Sequence, residues 1–370
     1  MIKLIAPAVL LLMAAGGPRP EAKIPCYAWL GGPKQATDAQ LVAKFADLRK
    51  KGIDGILYSA GHDPETYRRV GKAVKAAGME FEAWIPTLVQ EENPKLKHAW
   101  YAVNGLGQSA FDKPAYVDHY KFLCPNREEV FLFLADLYGR VADIPEVDGI
   151  HLDFIRFPDV ILARGLWEKY GLVMDREFPQ FDYCYCDKCV ADFKAESGID
   201  IKAVEDPSTV EAWKQFRYDL ITNLVSRLAK EVRARNKRIT AAVFPGPDSV
   251  AKKIVRQAWD KWDIDAFYPM NYNDFYLEGT AWIGAMCKEG VAALGGRKPL
   301  YSGLFICPDP EAKAKEPDPE NHGLVPGELA AAIRESMDNG AAGICLFTPD
   351  RMTDEDWAVF EKAIHAGPRR

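Results

Sequence analysis

The sequence is poor in histidine. Six are present among 370 residues and none forms a His-x-x-x-His pair, so a catalytic metal centre built on imidazoles has no ligand set. A dense Lys/Arg block is also missing. With a formal net charge of −6 and a pI near 5.7, nothing can neutralise a run of phosphates, which excludes nucleic acid as a partner. Beyond the N-terminus there is no apolar stretch long enough to span a bilayer. A glycine-rich phosphate fingerprint is absent after the first apolar run, against a doubly wound nucleotide-binding sheet. The eight cysteines lack the regular spacing of a disulfide framework. Cys184, Cys186 and Cys189 are crowded together, while Cys26, Cys124, Cys287, Cys307 and Cys345 are scattered, several of them inside apolar runs.

At the N-terminus, Met1–Lys3 is short and positive, and Leu4–Ala15 is mostly apolar. Gly16, Gly17, Pro18 and the small residue Ala22 follow. This pattern reads as a signal peptide over residues 1–22 and places the protein outside the cytoplasm, secreted or periplasmic. No cysteine directly follows the run to carry a lipid, so no membrane association is expected after cleavage. Residues 23–370 then form a single domain.

That domain alternates short β-branched or aromatic runs with stretches of helical period. The strand candidates are Ile24–Leu30, Gly55–Ser59, Glu80–Pro86, Asp148–Phe157, Ile239–Phe244, Ala266–Tyr272, Leu300–Cys307 and Gly343–Thr348. Eight such units define an α/β fold, a (β/α)8 TIM barrel. A bare barrel needs about 250 residues. The surplus falls in the loops after strands 3 and 4, around 90–125 and 159–207, on the face where barrels carry their sites. Thr37 with Gln40, Asn126 with Glu129, and Ser208 with Glu211 read as helix-starting capping boxes. Trp213, Phe216, Leu220, Leu224, Leu228 and Val232 recur at helical spacing and read as core.

The fourth strand is the most informative segment. A buried parallel strand should be apolar throughout, yet Asp148-Gly-Ile-His-Leu-Asp-Phe-Ile-Arg-Phe-Pro158 carries His151, Asp153 and Arg156. Such groups are costly to bury unless paired or functional. His151 and Asp153 share one face, and Arg156 falls on the other unless the strand has already ended. An Asp–Arg ion pair stitching the rim is the structural alternative to a working site.

This segment resembles the fourth-strand signature of a glycoside-hydrolase-like TIM-barrel family. Leu123-Cys-Pro-Asn126, Tyr268-Pro-Met-Asn-Tyr272 and Gly340-Ala-Ala-Gly-Ile344 are similar to that group as well. The resemblance implies a catalytic carboxyl at Asp153. Glycoside cleavage commonly uses two carboxyl groups, and the fifth strand offers none before Asp248, which reads as a helix cap. Asp274, after the sixth strand, is the preferred partner, with Glu82 and Asp350 behind it. If Arg156 holds Asp153 ionised, Asp153 is the nucleophile or base and Asp274 the proton donor. His151, Arg156, Glu82, Trp84, Tyr268, Asn271 and Tyr272 are the expected substrate-binding residues. Trp29, Phe275 and Tyr276 add flat aromatic faces on which sugars stack.

Three thiols within six residues suit a tetrahedral metal better than mutual disulfides. The Cys184-x-Cys186-x-x-Cys189 spacing resembles the structural zinc cluster of family 42 β-galactosidases, in which an upstream cysteine completes the site. Cys124 is the candidate fourth ligand, ahead of Asp187 or His119. A disulfide from Cys124 to a member of the cluster is the alternative. No organic cofactor is expected. The expectation is an exported glycosidase acting on an oligo- or polysaccharide. A carbohydrate-binding barrel lacking one carboxylate, or a metal-dependent hydrolase or deacetylase, are the alternatives.

Overall fold

The computed structural model describes residues 23–32, 36–90, 93–315 and 317–366; the segment read as a signal peptide lies outside them. Eight parallel strands carry the fold: β1 (Cys26–Gly31), β2 (Gly55–Ser59), β3 (Glu80–Pro86), β4 (Gly149–Asp153), β5 (Arg238–Val243), β6 (Ala266–Pro269), β7 (Tyr301–Phe305) and β8 (Gly343–Phe347). Their order is β6-β5-β4-β3-β2-β1-β8-β7. Single parallel bridges, Phe267 to Leu300 and Met270 to Gly303, join β6 to β7 and close the (β/α)8 barrel.

Strand side chains alternate with period two, so the barrel has two separate apolar regions. The larger lies between strands and helices and holds residues such as Ile56, Phe81, Ile150 and Leu346, together with the aliphatic stripe of the helix Glu211–Arg233. The smaller fills the barrel itself: Tyr27, Trp29, Leu57, Ala242, Ala266, Tyr268 and Cys345, with Trp84, Met270, Tyr301 and Phe347 against them.

Thr37 and Gln40 form the expected capping box. The other two proposed boxes do not form. Arg127 occupies the N-cap of Glu128–Ala142 without a side-chain bond, and Asn126 instead donates to Asp192 at 2.8 Å. Ser208 sits inside a short turn capped by Asp206. Asp248 does not cap a helix either; it pairs with Lys252 one turn on, at 2.6 Å. Among the described residues no helix is long and apolar enough to cross a membrane.

Gly303 marks how tightly the β6/β7 seam closes. A Cβ there would lie 2.7 Å from the Pro269 carbonyl oxygen and 2.8 Å from the Trp29 ring. Gly303→Val should therefore cost about 1–3 kcal/mol, the usual range for overpacking. Chemical denaturation would measure it, and a wild-type midpoint would show that the seam has slack.

Candidate active site

β4 ends at Asp153 because Phe154 adopts φ 46°, a left-handed conformation that is uncommon for a bulky side chain. The turn brings the Phe154 N–H within 2.7 Å of Asp153 Oδ1, while Trp84 Nε1 of β3 donates to Oδ2 at 2.8 Å. Asp153 is only 8% exposed. Burial pushes its carboxyl above the ordinary value, against the opposing pull of Trp84, the Phe154 amide and the Arg156 charge. Asp153 lines a cavity of about 290 Å³ at the strand ends, walled by Trp29, Trp84, Tyr120, Phe154, Tyr272 and Phe347 among others. Tyr272 stacks on Phe347 at 6.0 Å, with 18° between the rings.

Since the strand has ended, Arg156 turns back into the same cavity. Its partner is Asp159, at 2.9 Å, rather than Asp153; it also donates to the Phe157 carbonyl at 2.9 Å. The guanidinium packs over Phe154 and Phe244, 5.3 and 4.8 Å from their ring centres. A rim ion pair of the kind weighed as the alternative to a working site thus exists, but between Arg156 and Asp159 rather than Asp153. Asp159 lines the cavity together with Asp153 and was missed because it stands beyond Pro158, where the strand pattern has ended and the long loop begins. The signal available was the three-residue spacing Arg156-x-x-Asp159.

The expected partner Asp274 faces elsewhere. Its Oδ2 accepts the Gly323 N–H at 2.8 Å and lies 3.8 Å from Lys313 Nζ, so it fastens the β6 loop to the β7 loop. Asp350 pairs with Lys44 at 2.8 Å on the surface. Asn271 points behind the strands, donating to Ser302 Oγ at 2.9 Å, rather than towards substrate.

Three other expected binding residues lie below the mouth. His151 is two residues before Asp153, about 7 Å deeper along the strand. Its Nε2 accepts from Trp29 Nε1 at 2.9 Å, and its Nδ1 meets Thr240 Oγ1 at 2.8 Å. Thr240 in turn donates to Glu82, whose carboxylate pairs with Arg238 at 3.1 Å. The Trp29 donation leaves the Nδ1 proton for Thr240. His151, Glu82 and Tyr268 are fully enclosed and support the floor of the cavity rather than contact a ligand.

The sulfurs of Cys124, Cys184, Cys186 and Cys189 lie within 4.8 Å of one another, all buried. Cys124 is 3.6 Å from Cys186 and 3.5 Å from Cys189, too far for an S–S bond of about 2.05 Å, and all four are free thiols. These residues could hold a metal ion. Asp187 points into solvent and is not part of the group; nor is His119, which packs edge-on against Tyr120.

Comparison with protein-family models gives no match, and no curated protein sequence matches. Solved structures do match. The glycoside hydrolase domain of PgaB (BpsB) from Bordetella bronchiseptica is 14% identical with a TM-score of 0.67, covering 92% of this chain and 99% of that one. The catalytic domain of β-amylase from Paenibacillus polymyxa is 11% identical with a TM-score of 0.59, covering 94% and 99%. The β-galactosidase of the haloarchaeon Halorubrum lacusprofundi is 11% identical with a TM-score of 0.61, covering 92% of this chain and 57% of its own. At these identities the likeness shows the fold.

The enclosed histidine has a consequence for stability. Burial lowers the His151 pKa from 6.5 to about 3, so the fold keeps the ring neutral while the unfolded chain takes up a proton below 6.5. Its contribution is complete above pH 6.5 and is lost as pH falls towards 3, by up to about 1.4 kcal/mol per unit. Glu82, raised by burial, acts in the opposite sense, favouring the fold at low pH and losing that contribution as pH rises through its folded value. Urea unfolding at pH 7.5, 6 and 4.5 should show a shallower pH slope for His151→Gln than for wild type. Equal slopes would place the acid sensitivity elsewhere.

Proposed function

We propose that this chain is an exported glycoside hydrolase acting on an oligo- or polysaccharide, with Asp153 as its proton-donating carboxyl. The observation that carries this reading is the buried Asp153 carboxyl, its pKa raised, held by two donors at the strand-end mouth of a barrel whose cavity walls are largely aromatic. A carboxyl kept protonated by an apolar setting is what departure of a glycosidic oxygen requires. Flat aromatic rings suit the apolar faces of sugars. Structural neighbours named as a glycoside hydrolase domain, a β-amylase and a β-galactosidase point the same way. Arg156 is spent on Asp159, which reverses the roles expected from the sequence: Asp153 becomes the acid, and Asp159, lining the same cavity, the second carboxylate.

Asp153→Asn should lower kcat by at least about a hundredfold, the smaller end of general acid contributions, with little change in melting temperature. Asp274→Asn should leave turnover largely intact. Because Asp153 works protonated, the rate should fall as pH rises through its pKa. Trp84→Phe removes a donor that favours the ionised form, so that basic limb should move to higher pH. Near-normal turnover in Asp153→Asn would sink the assignment, and glycan binding without turnover in wild type would favour a carbohydrate-binding barrel.

We infer further that the four cysteines hold a structural zinc. Tetrahedral Zn–S bonds of about 2.3 Å place sulfurs about 3.8 Å apart, close to the separations found here. Four thiolates leave no open coordination position, so the ion would pin the β4 loop to the start of the helix Glu128–Ala142 and take no part in the reaction. Purified protein should contain about one zinc per chain. Cys186→Ser should lose it together with protease resistance of residues 159–207. Metal-free protein with these thiols in disulfides would contradict the inference.

A further inference from the structure

One side of the cavity is sealed by three loops. Ala163 and Leu166 from the β4 loop and Phe275 and Tyr276 from the β6 loop stand in its wall. Behind them the two loops touch backbone to backbone. At Gly165 a Cβ would lie 2.8 Å from the Asp274 carbonyl oxygen and 2.9 Å from that of Phe275, so nothing passes between them. The β6 loop is joined to the β7 loop by the bond from Gly323 N–H to Asp274. Lys169 then ties the β4 loop to the β7 loop through Asp318 at 2.9 Å and Glu320 at 2.5 Å. Tyr276 is braced from outside by Trp282, stacked at 4.6 Å.

The three loops therefore form one continuous canopy. A polymer lying through a cleft must leave at both ends, and on this side there is no exit. The volume of about 290 Å³ also sits at the bottom of the range for small-molecule sites, small for a cleft that would hold several sugar units at once.

We propose that the cavity is a blind pocket for the terminal residue of a glycan, so that units are removed singly from a chain end. This rests on the glycoside-hydrolase reading. Each turnover consumes one water: the terminal C–O bond breaks, the hydroxyl joins the anomeric carbon, and the departing oxygen takes a proton through Asp153. The canopy sets where along a chain the bond is cut.

The test uses hexasaccharides of β-1,4-linked glucose, xylose, mannose and N-acetylglucosamine and of β-1,3-linked glucose, with products resolved by mass. Calorimetry on Asp153→Asn with the monomer through the hexamer of each series runs beside it. The expected first products are a monomer and a pentamer, and affinity should change by no more than about threefold, under 1 kcal/mol, from dimer to hexamer. Fragments of two to four residues appearing first, or affinity rising with each added unit, would overturn the blind pocket while leaving hydrolysis standing. Length-independent binding without cleavage would support the pocket and sink the hydrolase reading; no binding and no cleavage would overturn both. Gly165→Leu should wedge the loops apart and add internal fragments. Unchanged single-unit release in that variant, with a normal melting curve, would overturn the canopy as the cause.

Discussion

Phe154 leaves β4 in a left-handed conformation, and the mouth of the barrel depends on that turn. It ends the strand at Asp153, aims an amide at the carboxylate, and swings Arg156 back over the cavity to meet Asp159. Strain of this kind costs of order 1–3 kcal/mol and persists only where the surroundings hold it. Here they do: the Phe154 ring packs near Tyr120, Phe122 and the Arg156 guanidinium. An extended Phe154 would lengthen β4 and point Arg156 away from Asp159.

The strands were legible because each is a compact apolar run bounded by turn residues, and β2 and β3 match their expected limits residue for residue. The face of His151 and Asp153 was legible too, since period two is a local property. Depth was not. A barrel interior is stacked in layers, and one two-residue step separates a group at the cavity from one sealed beneath it. His151 and Glu82 therefore read like site residues yet belong to the floor. The four cysteines came together as their spacing and the position of Cys124 implied.

Loop residues were the least legible. Asp274 and Asn271 stand in a polar, aromatic segment after β6, but their partners, Gly323 and Ser302, come from distant parts of the chain. Only the closed barrel brings those groups together, and no local pattern encodes it. The same holds for the β4 loop. Besides its cysteines it is tied down by buried Arg217 and Arg256, which pair with Asp182 and Glu177 from outside the loop. That ionic seam needs both partners, because one charge left alone at such depth would be costly.

The Trp84 indole that steadies Asp153 is also a chromophore. Two of the nine tryptophans, Trp29 and Trp84, line the cavity, and the N–H of Trp84 points at the carboxyl whose charge changes with pH. Its excited-state dipole therefore senses whether that carboxyl is ionised, and its ring face senses whatever enters the cavity. The protein carries an intrinsic optical probe of its own mouth, so protonation and occupancy can be followed by emission without any attached label.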